Sequence, residues 1–184
     1  MSPPSWLSEA ERVDLAVYAA IARTPTPTLD RAMSVVSRAA NYSRLSIAAS
    51  VVLAGIGGRE GRRAAVNGLA SVAVSSAVVN LAVKPLGRRR RPDRAGQEVP
   101  LARHVNMPRS SSFPSGHSAS AFAFATGVGR TLPQAAVPLR ALAAVVAYSR
   151  VHTGVLYPGD VVIGSLIGSS LAQATTRAAE RMRS

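Results

Sequence analysis

Three short runs carry side chains able to hold a phosphoryl group and to move a proton beside it. The first is Lys84 followed, after six residues, by Arg91-Pro92. The second is Ser112-Phe113-Pro114-Ser115-Gly116-His117, and the third is Ser149-Arg150 with Asp160 ten residues beyond the arginine. A lysine ammonium is a point charge on a long stem, and an arginine offers a planar fork that matches phosphate oxygens. The second run stands where a helix should begin, so its free N–H groups form an anion site. Gly116 lets a ligand approach the backbone, and Ser115 adds a hydroxyl. His117 donates or accepts a proton near neutral pH. Each run also has a plain structural reading. The basic residues 88–91 could be a charge belt beside a membrane. Ser-Gly-His could be a helix cap, and Asp160 could cap the last helix or pair with a buried Arg150. A serine-hydrolase elbow is excluded, because it needs glycine two residues before the serine, where Phe113 stands.

The elements that must bring these runs together are helices in a membrane. The chain of 184 residues is 47% hydrophobic but only 4% aromatic, so its apolar mass is Ala, Val, Leu and Ile. Such small side chains suit helices packed closely in lipid. The formal charge is +13, from 22 Lys and Arg against 9 Asp and Glu. These charges cluster between apolar runs, which favours a membrane protein with basic loops over a nucleic-acid binder. Cysteine is absent, which excludes disulfides and thiolate metal sites. The first residues lack the basic-then-apolar order of a cleavable signal peptide.

The length predicts one membrane-embedded domain over 1–184, with amphipathic peripheral helices in 1–43 and core helices in 44–176. Residues 1–7 read as a poorly ordered, Pro-rich lead. Ser8 and Glu11 form a capping-box pattern that predicts a helix to about Arg23, with Val13, Val17 and Ile21 on one face. After the Thr24-Pro25-Thr26-Pro27 break, a second helix over 28–41 carries the stripe Leu29, Met33, Val36 and Ala40. It would lie on the membrane surface or beside the bundle. Residues 64–83 are uncharged and long enough to cross the hydrocarbon at about 1.5 Å per residue. The expected fold is an all-α integral membrane bundle of five to six helices. Spans at 44–58, 64–84, 116–132, 138–150 and 160–176 would put 85–115 and 151–159 on the same side. All three reactive runs would then share one membrane face.

Taken in order and at these spacings, the runs resemble the three-part signature of the type 2 phosphatidic acid phosphatases, relatives of the vanadium haloperoxidases. The resemblance covers about residues 84–160. It implies a lipid phosphate phosphatase in which a histidine of the third run attacks phosphorus and forms a phosphohistidine. It assigns phosphate binding to Lys84, Arg91, Ser115, Gly116 and Arg150. His117 becomes the general acid and Asp160 the carboxylate that orients the nucleophile, with no metal or other cofactor. Fixed cations and amides are what a phosphoryl transition state requires, because its negative charge spreads over the equatorial oxygens.

One position departs from the signature. The attacking histidine belongs four residues before the aspartate, and Leu156 stands there. Leucine has no lone pair and cannot be phosphorylated. His152 would replace it only if a helix continued to 156, which Gly154 and Pro158 oppose. The chain therefore reads as a phosphatase lacking its nucleophile. The phosphate would be lipid-linked, a monoester or pyrophosphate on a polyprenyl or glycerophospholipid chain, in a bacterial plasma membrane. The alternative is a non-catalytic membrane protein that binds lipid phosphate heads. A nucleic-acid partner is opposed by the uncharged run 64–83. His104 reads as solvated or near the site entrance, and Trp6, Tyr42, Tyr148 and Tyr157 as interfacial aromatics. Asn41-Tyr42-Ser43 matches a glycosylation acceptor pattern of the kind that arises by chance.

Overall fold

Prolines and glycines divide the chain into seven helices among the described residues, which in this computed structural model are 5–87 and 89–182. Arg88 of the basic run, Arg183 of the tail and the first four residues lie outside them. The helices are α1 (Ser5–Arg23), α2 (Pro27–Ala39), α3 (Arg44–Ile56), α4 (Gly58–Val78), α5 (Gly116–Gly129), α6 (Pro133–His152) and α7 (Pro158–Arg181). The helical path of α4 runs on through a π turn, Val79–Val83, to Lys84–Leu86. No strand occurs among the described residues. Pro27, Pro133 and Pro158 stand in the first turns of α2, α6 and α7, where a missing N–H costs nothing.

One expectation for the N-terminal part fails. Helix α1 already begins at Ser5, and the Ser8 hydroxyl donates to the Ser5 carbonyl at 2.7 Å, so Ser8 lies inside the first turn and caps nothing. The apolar stripe of α2 is only partly buried, with Met33 and Ala40 inside. Leu29 is exposed and Val36 half-buried, whereas Asp30, Ser34 and Ser37 are buried with Met33. The reason is what α2 packs against. Ser34 Oγ donates to the Ala102 carbonyl at 3.0 Å, and Asp30 Oδ1 accepts from Arg103 Nε at 2.7 Å. In α1, Val13 and Val17 are exposed, while Ile21 is half-buried and packs with the buried Tyr18 and Ala22. Apolar side chains turned outward and polar ones inward suit an exterior made of lipid, not water.

Helix α5 lies at the centre, in contact with α4, α6 and α7. Its residues from Ala123 to Val128 are buried in an unbroken run, so it has no polar face. Close approach depends on missing side chains. On α7, Gly164 and Gly168 lie one turn apart against Ser115 and Ala119 of the α5 segment. A Cβ at Gly164 would come 2.5 Å from the Ser115 carbonyl oxygen, and one at Gly168 would overlap the Ala119 carbonyl. This small-x-x-x-small contact is how helices associate in lipid, where apolar burial gives no drive.

By length and apolarity, Gly58–Leu86 is the one helix among the described residues that suffices to cross a membrane. Helices α2 and α3, bent by 67° at their junction, would form a second crossing if taken as one broken span. Helix α5 has 14 residues. At about 1.5 Å per residue it is about 21 Å long, shorter than the hydrocarbon, and it fills the space between longer neighbours. The links α5–α6 and α6–α7 are short, so successive helices reverse direction. The segment 87–115 and the turn 153–157 therefore meet at one end of the bundle, where Arg91 Nη1 donates to the Val155 carbonyl at 3.2 Å.

The α5–α7 contact yields a prediction. Gly168→Val should lower the detergent-solubilised protein's stability by about 2 kcal/mol or more, because no side chain there can move aside. Gly55 has nothing within 4 Å of its Cβ position. Gly55→Ala should leave the melting temperature unchanged or raise it.

Candidate functional site

The end of α4, the start of α5 and the end of α6 converge on a cavity of about 120 Å³ lined by Lys84, Arg91, Gly116, His117, Arg150 and Leu156, with Ser110, Ser112 and two prolines. No carboxylate belongs to this lining among the described residues.

Each cation arrives differently. Lys84 follows the π turn of α4, and its Nζ lies 3.6 Å from where a Gly116 Cβ would stand and 3.5 Å from Ser110 Oγ. The ammonium thus sits over the start of α5, where the N–H groups of Gly116 and His117 have no partner within the helix. Arg91 is held by carbonyls: Nε donates to Ser110 at 2.9 Å and Nη2 to Ser111 at 3.2 Å. Burial pulls its pKa below the ordinary value, with Asp160 opposing and Arg94 adding to the shift. Arg150 is 2% exposed. Its Nη1 donates to Ser37 Oγ at 2.6 Å, and its Nε is buried with no partner among the described residues.

Two residues assigned by resemblance stand behind the wall. Ser115 is the N-cap of α5: its Oγ accepts from the Ser118 N–H at 3.2 Å, and its own N–H donates to the Asp160 carbonyl at 2.9 Å. It does not line the cavity. Asp160 caps α7, with Oδ2 accepting from the Tyr157 N–H at 3.1 Å. The considered Arg150–Asp160 ion pair is absent. Asp160 Oδ1 pairs with Arg89 Nη1 at 3.0 Å, and Arg89 Nη2 reaches Asp14 Oδ2 at 2.6 Å. The Arg89 guanidinium also covers the Tyr157 ring at 4.1 Å. Burial works against the charge of Arg89, but Asp14 and Asp160 outweigh it and hold its pKa above the ordinary value.

His152 does not line the cavity. Its Nε2 lies 2.8 Å from Asp30 Oδ1 and its Nδ1 3.3 Å from the Tyr148 hydroxyl, so both ring nitrogens are engaged away from it. His104 Nε2 lies 3.1 Å from the Val99 carbonyl.

Sequence reasoning missed two residues. Asn41 lies between α2 and α3, and its Oδ1 sits 2.9 Å from His117 Nε2. An acceptor there requires the hydrogen on Nε2 and, in the neutral ring, leaves the lone pair on Nδ1. Tyr42 and Ser43, both at φ 56°, make the kink that aims it. Left-handed residues of this kind cost about 1 kcal/mol each. The glycosylation-like pattern here is therefore a half-buried helix junction. The second is Arg89, hidden in the run 88–91, where nothing in the spacing separates it from its neighbours. A break falling at an asparagine between two apolar helices is the signal that could have singled out Asn41.

Fold and site define a class: an all-helical membrane bundle with a cationic, carboxylate-free cavity at one end. The chain belongs to the PAP2 superfamily, whose family model matches residues 64–183. It is similar to the decaprenylphosphoryl-5-phosphoribose phosphatase of two strains of Mycobacterium tuberculosis, at 39% identity over 93 residues, 48% of this chain and 47% of the relative. The chain thus spans about half the length of the curated relatives it matches. Among solved structures it resembles Aquifex aeolicus LpxE, with TM-score 0.72 and 22% identity over 89% of this chain and 94% of that one. It also resembles the transmembrane PAP2-type phosphatidylglycerolphosphate phosphatase of Bacillus subtilis, with TM-score 0.72 and 24% identity over 94% and 87%.

The Arg89 bridge is directly testable. Arg89→Met leaves two carboxylates facing each other, one of them fully buried, and should cost about 3 kcal/mol. The melting temperature should fall, and adding Asp160→Asn should recover part of the loss.

Proposed function

We propose that this chain grips the phosphoryl head of a polyprenyl-linked phosphomonoester at a membrane face, and that Leu156 withholds the covalent step. The observation that carries this reading is the place of Leu156. It is buried in the wall of the cavity that Lys84, Arg91 and Arg150 surround, where the signature puts an attacking imidazole. Arg150 supplies the case for an anion. A buried guanidinium is strongly disfavoured without a counter-charge, and Arg150 has no carboxylate partner among the described residues. A phosphoryl group would provide one.

In an active form, a histidine at 156 would add its ring lone pair to phosphorus as the bond to the ester oxygen breaks. His117, doubly protonated once the anionic head is bound and with Nε2–H held by Asn41, would give that oxygen its Nδ1 proton. Lys84, Arg91, Arg150 and the Gly116 and His117 amides would share the charge on the equatorial oxygens. Water would then attack the phosphohistidine, with His117 taking the proton and inorganic phosphate leaving. Asp160 would orient the new imidazole while holding Arg89, and Ser115 would act by fixing the start of α5. With leucine at 156 no bond to phosphorus forms, and the head remains bound. The mycobacterial relative's name supports a polyprenyl-linked sugar phosphate as ligand, and the apolar exterior supports a bacterial plasma-membrane setting. The same leucine favours a second reading, a membrane protein that only binds lipid phosphate heads.

Replacement at one position separates the two. Purified chain in detergent should release no phosphate from a short-chain prenyl phosphate above background. Leu156→His should gain at least about 100-fold, blocked by vanadate and unaffected by chelator. A folded Leu156→His protein without that gain would leave the binding-only reading. Turnover by the unaltered chain would refute the blocked step itself. Arg150→Gln should abolish phosphate-induced thermal stabilisation in either background.

A further inference from the structure

The carboxamide that meets His117 also lines a second basic hollow. Asn41 borders a space of about 630 Å³ that shares no lining residue with the phosphoryl cavity. Its basic side chains are Arg38 from the end of α2, Arg44 from the start of α3, and Arg94 and His104 from the polar segment. Asn106 adds a second carboxamide, and no carboxylate lines the hollow among the described residues. Like charges gathered without an acid repel one another, and an anion among them relieves that cost.

These cations have capacity to spare. Arg94 gives Nε and Nη1 to the Gly154 and Val105 carbonyls, but its Nη2 is buried with no partner among the described residues. Arg38 and Arg44 are exposed and make no ion pair among the described residues. Hydrocarbon begins directly below them. Ile47 and Val51 stand three and seven residues after Arg44, so the three share one face of α3. Both apolar side chains are exposed, as is Val35 one turn before Arg38 on α2. An arginine at the end of an apolar helix face reaches into the headgroup layer. Tyr42, exposed and with its ring centroid 5.6 Å from the Arg44 guanidinium, has the amphipathic build of that layer.

We propose that this hollow seats the phosphodiester head of an anionic bilayer phospholipid, with an acyl chain lying along Ile47 and Val51 of α3. The site is separate from the phosphoryl cavity and does not depend on what that cavity binds. A phosphodiester has no terminal phosphoryl group for Lys84, Arg91 and Arg150 to surround. The hollow, at about 630 Å³ against about 120 Å³, has room for a substituted head. Basic recesses between membrane helices are recognised sites for such heads. Lipid held there fastens the α2–α3 junction, bent by 67°, to the headgroup layer. It also braces Asn41, whose Oδ1 lies 2.9 Å from His117 Nε2.

The test titrates the full chain in dodecyl maltoside with palmitoyl-oleoyl phosphatidylglycerol or with the zwitterionic phosphatidylcholine, and counts bound lipid by native mass spectrometry. One phosphatidylglycerol should bind about ten-fold tighter than phosphatidylcholine, since each arginine beside an anionic head contributes about five-fold. Arg38→Gln combined with Arg44→Gln should bring that preference to about two-fold or less. If this pair does not fold, Arg44→Gln alone carries the test, with a loss of about five-fold. Arg62→Gln combined with Arg63→Gln removes the same charge at the exposed start of α4 and should keep the preference. Arg150→Gln should keep it too. The proposal is overturned if phosphatidylglycerol has no advantage, or if the advantage survives loss of Arg38 and Arg44. It is equally overturned if the Arg62 and Arg63 pair abolishes the advantage, which reduces it to net charge, or if Arg150→Gln does, which moves the lipid into the phosphoryl cavity. Displacement of the lipid by millimolar inorganic phosphate would make the hollow a site for free phosphate and would also refute the lipid.

Discussion

A guanidinium buried at the end of the bundle, bonded to serine and to no carboxylate among the described residues, is the constraint around which the rest is arranged. Removing an ion from water costs several kcal/mol even after relaxation. Ser37 of α2 meets only part of that cost, which ties a helix at the edge of the bundle to its reactive end. The backbone of the same residue shapes the cavity. The Arg150 carbonyl accepts the N–H groups of both Val155 and Leu156, at 3.0 and 3.2 Å, and so closes the turn that aims Leu156 inward. Cation and inert side chain are therefore set by one residue.

The other arginines of the polar segment do different work. Arg94 holds the carbonyls of Gly154 and Val105, and Arg103, fully buried, holds Asp30 and the carbonyls of Ile21, Ala22 and Thr24. Arg89 clasps Asp14 and Asp160. These contacts fasten a long segment with little regular structure to α1, α2 and the α6–α7 turn. Part of the +13 charge is thus structural, held against Asp14, Asp30 and Asp160.

The bundle leaves its larger apolar side chains outside and closes its interior with glycine, alanine and serine. Buried hydroxyls such as Ser50, Ser71 and Ser149 return their hydrogen bonds to their own helix, which lets helices touch at those positions without leaving the hydroxyls unpaired. That close contact makes a 14-residue α5 sufficient. Its first turn is held at the depth where Lys84 and Arg150 arrive.

The core helices were legible because apolar runs, prolines and charged breaks are local features. The three reactive runs were legible as a set because their spacing survives in one dimension, and alternation of helices sends them to one end. Leu156 was legible as the exception for the same reason. Hydrogen-bond partners were not. Asp160 could have paired with Arg150 by sequence, but the fold gives it Arg89. Ser115 could have faced a ligand, but the cap at Ser118 takes it. Nothing local marks Asn41 as the partner of His117, 76 positions away. Which helix face meets lipid was not legible, because periodicity shows that a helix has two sides, not which of them points outward. A sequence fixes which groups exist and how far apart they lie along the chain. Only burial in three dimensions removes water from some of them, and that decides which charges must find one another and which are left open for an anion.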